Sequence, residues 1–178
     1  MATIFTHAAV AAVIKKSFKK ISGPDKKVLF WCLLLSILPD ADVLSFKLGI
    51  AYEHPLGHRG FTHSILFVLI ISPLVSFIVF NEESRKTKYK LTLVFALSLF
   101  SHAILDALTN GGLGVGFFIP FDNNRYFFPW TPIEVSPIGR NFFSMNGVRT
   151  LLSELKVVII PITVIVLIKI GIKRYKKS

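Results

Sequence analysis

Apolar residues along this chain gather into runs separated by short polar breaks, and the runs approach the length of membrane helices. Four stretches read as segments that cross or enter a bilayer: Val28 to Leu44, Ser64 to Phe80, Leu91 to Leu108 and roughly Leu155 to Ile172. Each lies near the short end of the spanning range of about 17 to 25 residues. A fifth run, Thr3 to Ile14, is too short to span alone and predicts an interfacial or half-inserted helix. It has neither a basic start nor a small-residue cleavage site, so it does not read as a removable signal peptide. The expected fold class is all-α: a multi-pass integral membrane helical bundle of about four spanning helices plus a short amino-terminal helix. Residues 1–178 form a single domain in this reading.

Composition agrees with the bilayer as solvent. Hydrophobic residues make up 52% of the 178 positions, and the mean hydropathy of +0.61 is high for a soluble domain of this size. The single Cys32 excludes an intrachain disulfide and reads as a small core hydrophobe.

The net charge of +11 first suggests nucleic acid, but its distribution serves topology instead. Six lysines lie in Lys15 to Lys27, four basic residues in Arg85 to Lys90 and five in Lys169 to Lys177, together 15 of the 21. These clusters fall on alternate connections, so one orientation puts all of them in the cytoplasm under the positive-inside rule. The connections left outside keep only Lys47, Arg59, Arg125, Arg140, Arg149 and Lys156. No nucleic-acid partner is expected.

That orientation has a consequence for the remaining polar residues. Asp40 and Asp42 emerge where the first span exits, His63 stands where the second begins, and His102 and Asp106 occupy the last turns of the third. His7 reaches the same face if the amino-terminal helix runs inward to Lys15. Ionisable residues from four segments thus arrive at one depth of one leaflet, and intramembrane ionisable groups are functional candidates by default. Inverting the whole topology would move this group to the other face without dispersing it.

The string from His58 to Ser64, His-Arg-Gly-Phe-Thr-His-Ser, is the densest of these polar stretches. His63 can start a helix capped by Thr62 or Ser64, which makes it a ligand candidate. His58, five residues earlier in a glycine-bearing turn, suits proton transfer or support of a ligand. Arg59 is shaped to hold a phosphate oxygen, and equally to anchor to headgroups or pair with Asp42 or Glu53. His102 and Asp106 are four apart and share a helix face. Their spacing fits a shared ion, and equally a structural hydrogen bond. His54, beside Glu53 and Pro55, reads as a loop histidine. A mixed imidazole and carboxylate set suits zinc foremost, with manganese or iron as alternatives. Such an ion lowers the pKa of its water to about 7, which points to hydrolysis. No nucleophile elbow and no cysteine near a histidine favours covalent catalysis.

The connection from Thr109 to about Ser153 opens with glycines that match neither a dinucleotide fingerprint nor a phosphate-binding loop. They read as a turn-rich connection. Its aromatics, Phe117 through Trp130, read as an interfacial belt.

On three strings the chain resembles the LexA-regulated inner-membrane metal-dependent hydrolase family, the YdjM-like proteins. They are Leu38-Pro39-Asp40-Ala41-Asp42, Gly57 to Ser64, and Ser101-His102-Ala103-Ile104-Leu105-Asp106-Ala107-Leu108-Thr109; the stretch from Asn110 to Trp130 resembles one branch. The resemblance implies a multi-pass membrane protein with His7, Asp40, His63, His102 and Asp106 lining a metal site. The order of these residues is also similar to part of the ligand pattern of zinc phospholipase C and related nucleases. Their later histidine and glutamate ligands have no counterpart, since no histidine follows His102, so one or two ions are expected rather than three.

The expectation is therefore a membrane hydrolase acting on an ester, above all a phosphoester, of a lipid or lipid-linked substrate. His58 and Arg59 would handle protons and substrate oxygens. Its place is the inner membrane, with the site toward the outer face and the carboxyl terminus in the cytoplasm. Two alternatives stay open: a non-enzymatic, metal-stabilised membrane protein, and an ion- or proton-coupled transporter.

Overall fold

The computed structural model describes residues 1–18 and 25–175. Lys19 and Lys20 of the first basic cluster and Lys176 and Lys177 of the third lie outside them. The chain is all-helical. Among the described residues no strand forms, only isolated bridges at Thr109–Ile133 and Val115–Tyr126.

The helices in chain order are α1 (Ile4–Ser17), α2 (Asp25–Ile37), α3 (Leu44–Lys47), α4 (Ile65–Val79), α5 (Arg85–Ala107), α6 (Met145–Glu154) and α7 (Ile160–Tyr175). Hydroxyl side chains mark the starts. Thr3 caps α1, Ser64 caps α4, Ser84 caps α5 and Ser144 caps α6, each accepting from a free amide of the first turn.

Among the described residues, three continuous helical stretches are long and apolar enough to cross a membrane: Asp25–Lys47, Arg85–Ala107 and Met145–Ile172. The first passes from α2 through a 3-10 segment, Leu38–Val43, into α3. Pro39 sits at the start of that segment, where its missing N–H costs nothing, and the tighter winding swings Asp40 and Asp42 inward. The third joins α6 to α7 through a π-helical turn, Leu155–Ile159. Pro161 follows it, and a ring that cannot donate to the preceding turn explains the widened winding there.

The expected second span is shorter than the others. Helix α4 has 15 residues, or about 22 Å against a hydrocarbon core of about 30 Å. The 3-10 turn Phe61–His63 leads into it at the polar end.

Helices α1, α2 and α5 pack mutually, and α4 lies along α5. Their shared core holds Ala11, Val28, Cys32, Leu35, Val68, Leu91, Val94, Phe95 and Leu99. Lipid is as apolar as these side chains, so close packing, rather than escape from water, holds them together. Ser72 and Ser76 on α4 are fully buried, and residues this small let α4 approach its neighbours closely. Helix α7 stands largely apart; the π turn before it packs through Val158 with Leu105 of α5, Ile133 and Ala2, and Ile162 at the start of α7 lies against the same cluster.

The basic segments meet at one end of the bundle. Lys15 pairs with Asp25, Lys27 Nζ donates to the Val79 carbonyl, and Lys88 Nζ donates to that of Asn81. At the opposite end, the connection after α5 folds over the helix ends. Phe128 N donates to Ala107 O, Gly116 N to Arg59 O, and Ile65 N to Phe117 O, each at 2.9 Å.

A buried histidine and aspartate centre

At that opposite end, Asp40, His63, His102 and Asp106 each point one ligand atom into a common space, all four atoms lying within 4.8 Å of one another. His63 Nε2 is 3.0 Å from His102 Nε2 and 3.5 Å from Asp106 Oδ2. His102 Nε2 is 3.4 Å from Asp40 Oδ1 and 3.9 Å from Asp106 Oδ2. A tetrahedral ion with bonds of about 2.0–2.2 Å spaces its ligands by roughly 3.3–3.6 Å; the His63–Asp106 and His102–Asp40 spacings fall there, and the others need side-chain shifts of an ångström or so to match.

The opposite ring nitrogens explain why the Nε2 atoms face inward. His102 Nδ1 lies 2.7 Å from the Ser36 carbonyl, which accepts only from a protonated Nδ1 and leaves Nε2 with a lone pair. His63 Nδ1 lies 3.2 Å from Asp42 Oδ2 and 3.0 Å from Thr62 Oγ1. An imidazole backed by a carboxylate or carbonyl is the usual support of a metal-bound histidine. Asp40 Oδ1 is buried with no hydrogen-bond partner, a cost that a cation would relieve. The residues present therefore fit a divalent metal.

Electrostatics tell the same story. Burial alone would lower the pKa of His63, but Asp106 and Asp42 outweigh it and raise the ring to about 9. The pocket holds a positive charge at this point. His7 behaves oppositely: burial and the neighbouring His102 lower it to about 4, so it stands neutral.

His7 is not one of the four converging ligands. Its ring stacks on His102 with centroids 3.8 Å apart, its Nε2 lies 3.5 Å from Asp106 Oδ1, and neither nitrogen has a hydrogen-bond partner. Asp106 thus turns one oxygen to the four-atom cluster and the other toward His7. That second oxygen also accepts from Ala2 N at 2.7 Å.

Arg59 is fully buried. Its Nε donates to Asp106 Oδ2 at 3.1 Å, Nη1 to Gly111 O at 2.8 Å and Nη2 to Thr109 Oγ1 at 2.9 Å. Its backbone takes a left-handed φ of 60°, a conformation that costs about 1–3 kcal/mol in a non-glycine residue and concentrates at functional sites. The glycines of the following connection now have a purpose: a Cβ on Gly112 (φ +85°) would stand 2.5 Å from the Tyr52 hydroxyl and 3.0 Å from Arg59 Nη1. His58 is buried too, its Nδ1 lying 2.6 Å from Asp42 Oδ1. His54 is exposed, its Nδ1 accepting from Leu56 N.

The chain matches, over residues 1–177, the family described as YdjM inner membrane protein. It belongs to that family. It is also 40% identical over 163 residues to "Inner membrane protein YbcI" of Escherichia coli (strain K12), an alignment covering 90% of this chain and 92% of that protein. No solved structure matches. Membership of an inner-membrane family agrees with the three helices able to cross a bilayer.

Several residues of this YdjM-family centre escaped the sequence reading. Asp42 read as one of the ionisable residues gathered at one face and as a possible partner of Arg59, not as a support for histidines, yet its two oxygens accept from Thr62 Oγ1 and Arg59 N and back both His58 and His63. Arg125 ties the Tyr52 to His58 loop together, its Nη atoms donating to the carbonyls of Tyr52, His54 and His58. Glu154, fully buried, accepts from Thr3 N, Thr3 Oγ1 and Thr6 Oγ1. It anchors the segment that carries Ala2 and His7 to Asp106. A lone carboxylate at the threshold of an apolar run was the available signal for Glu154.

Proposed function

We propose that this protein is a membrane-embedded, metal-dependent hydrolase acting on an ester, above all a phosphoester, of a lipid or lipid-linked substrate. The observation that carries the reading is the convergence of His63 Nε2, His102 Nε2, Asp40 Oδ1 and Asp106 Oδ2 on one buried point. In this reading these four residues hold a divalent ion, zinc foremost, and His7 with Asp106 Oδ1 supplies part of a second position. The ion would acidify water and polarise an ester oxygen, the usual contribution of such a centre.

The chain's own groups divide the remaining work. Arg59 fixes the orientation of Asp106, and with three of its five donors engaged it keeps one N–H on each terminal nitrogen for a substrate oxygen. Asp42 holds His63 in its inward tautomer, and His58, hydrogen-bonded to the same carboxylate, is placed to relay a proton through it. Asp40, whose side chain keeps 13% of its surface exposed where the other three ligands keep none, marks the side on which water reaches the centre.

A lipid substrate is supported by an apolar groove of about 340 Å³ lined by Leu38, Leu44, Leu48 and Phe67, with Asp42 and Thr62 in its wall. The centre's position at helix ends, away from mid-span, disfavours the transporter alternative. Orientation toward the outer face, with the carboxyl terminus in the cytoplasm, remains part of the proposal and rests on the positive-inside rule.

The test is turnover of phospholipids in mixed micelles by zinc-loaded protein, with headgroup and lysolipid release measured for wild type, Asp106→Asn and His102→Ala. Turnover that depends on both residues is expected; turnover that survives loss of Asp106 would remove the centre from catalysis.

A structural metal site is the second reading, favoured by four protein ligands and near-complete burial. Cobalt-substituted protein separates the two: exchangeable water on the metal belongs to the hydrolase, and its absence to a closed site.

A further inference from the structure

The basic end of the bundle carries a second feature, unconnected with the histidine and aspartate centre. Residues of helices α1 and α7 line a groove there of about 310 Å³. Its walls are apolar, with Val13 from α1 facing Ile162, Ile165 and Val166 from α7. Lys16 and Lys169, one from each helix, stand among its lining residues. Lys15 is occupied by Asp25, but no carboxylate pairs with Lys16 or Lys169 among the described residues.

Three observations identify the occupant. The span that contains α7 has only 6% of its most apolar window buried within the protein, so its other faces meet lipid. An apolar wall continuous with the bilayer is filled by an acyl chain. The charge at this end is one-sided: among the described residues Lys15, Lys16, Lys26, Lys27, Arg85, Lys86, Lys88, Lys90 and Lys169 stand against Asp25, Glu82 and Glu83. Two ammonium groups with no carboxylate partner among the described residues, beside an acyl-sized groove, complement one phosphate, and basic pockets between transmembrane helices bind anionic headgroups.

We propose that the groove between α1 and α7 binds one anionic phospholipid. An acyl chain lies along Val13, Ile162, Ile165 and Val166, and the headgroup phosphate sits between Lys16 and Lys169. The lipid fills the space that protein packing leaves open and docks α7 against the bundle. Lipid here is a structural ligand, at the opposite end of the bundle from the proposed substrate groove.

Native mass spectrometry of the full chain in detergent tests this, using phosphatidylglycerol and phosphatidylcholine with identical acyl chains. Wild type should retain phosphatidylglycerol about tenfold better. The double variant Lys16→Gln with Lys169→Gln should fall to the phosphatidylcholine level, while Lys26→Gln with Lys86→Gln, at the same face but outside the groove, should keep the preference. Val166→Trp, which fills the groove and leaves both charges, should also lose the retained lipid. Thermal unfolding of each variant confirms that it is folded. Equal retention of the two lipids by wild type, an equal loss in both double variants, or unchanged retention in Val166→Trp would each overturn the proposal.

Discussion

His63 and His102 bring their Nε2 atoms to within 3.0 Å of each other, while their Nδ1 atoms rest on separate acceptors, Asp42 and the Ser36 carbonyl. Two nitrogen lone pairs at that distance repel unless a cation lies between them. In the metal-free chain a proton on His63 meets that need; a divalent ion meets it with Asp40 and Asp106 as well.

Asp42 supports this arrangement without belonging to the ligand set. Asp42→Asn keeps the shape of the side chain but weakens the acceptor behind His63, and it is expected to lower metal affinity by about 10- to 100-fold. Competition against a chelator of known affinity measures the loss, with a far-ultraviolet spectrum to show that the helices remain.

The raised pKa of His63 sets a pH dependence. In the metal-free protein its stabilising contribution is complete below an unfolded value of about 6.5 and is lost as pH rises through about 9. A metal ligand must be deprotonated, so loading the centre at pH 7.5 should release about one proton from His63. Apparent metal affinity should therefore climb with pH up to about 9. Calorimetry in buffers of different ionisation enthalpy counts the protons; none released would place the metal elsewhere.

Glu154 governs the amino-terminal segment. Glu154→Ala leaves Thr3 N and two threonine hydroxyls without their acceptor, a cost of about 1–3 kcal/mol for each buried group. Hydrogen exchange should accelerate across Thr3 to His7 and remain slow in α5. Because His7 lies outside the four-ligand set, one metal should be retained.

The turn before His63 has no room for a side chain at Gly60, where a Cβ would stand 2.2 Å from Pro55 O and 2.7 Å from Gly57 O. Gly60→Ala is expected to displace His63 and abolish metal retention. Gly171→Ala meets nothing within 4 Å and serves as the control, with unchanged metal content and a stability equal to wild type or slightly higher.

Much of this was legible in the sequence because charge and apolar length report topology directly. The alternation of basic clusters was enough to place Asp40, His63, His102 and Asp106 at one end of the bundle, where they converge, and His7 joined them on the condition that the amino-terminal helix runs inward to Lys15. The supporting role of Asp42 was not legible because it depends on a 3-10 turn that aims it back at His58 and His63. Arg59 read as a group for a substrate oxygen, for headgroups, or for pairing with Asp42 or Glu53, because nothing in the sequence reveals that Asp106, Thr109 and Gly111 surround it. Gly112 read as a loop residue because its close approach to Tyr52 and Arg59 is a long-range contact. The short α4 and the π turn before Pro161 are backbone adjustments whose onset hydropathy does not locate.

X-ray absorption at the zinc edge, on protein purified in detergent without chelator, addresses the centre most directly. About one zinc per chain, or two with His7 engaged, with two imidazole nitrogens and two carboxylate oxygens at about 2.0–2.2 Å is expected, and the imidazole signal should fall in His63→Ala. Full-length folded protein that takes up no zinc, manganese or iron, or whose bound metal keeps the same ligands in His63→Ala, would contradict a metal centre built from Asp40, His63, His102 and Asp106.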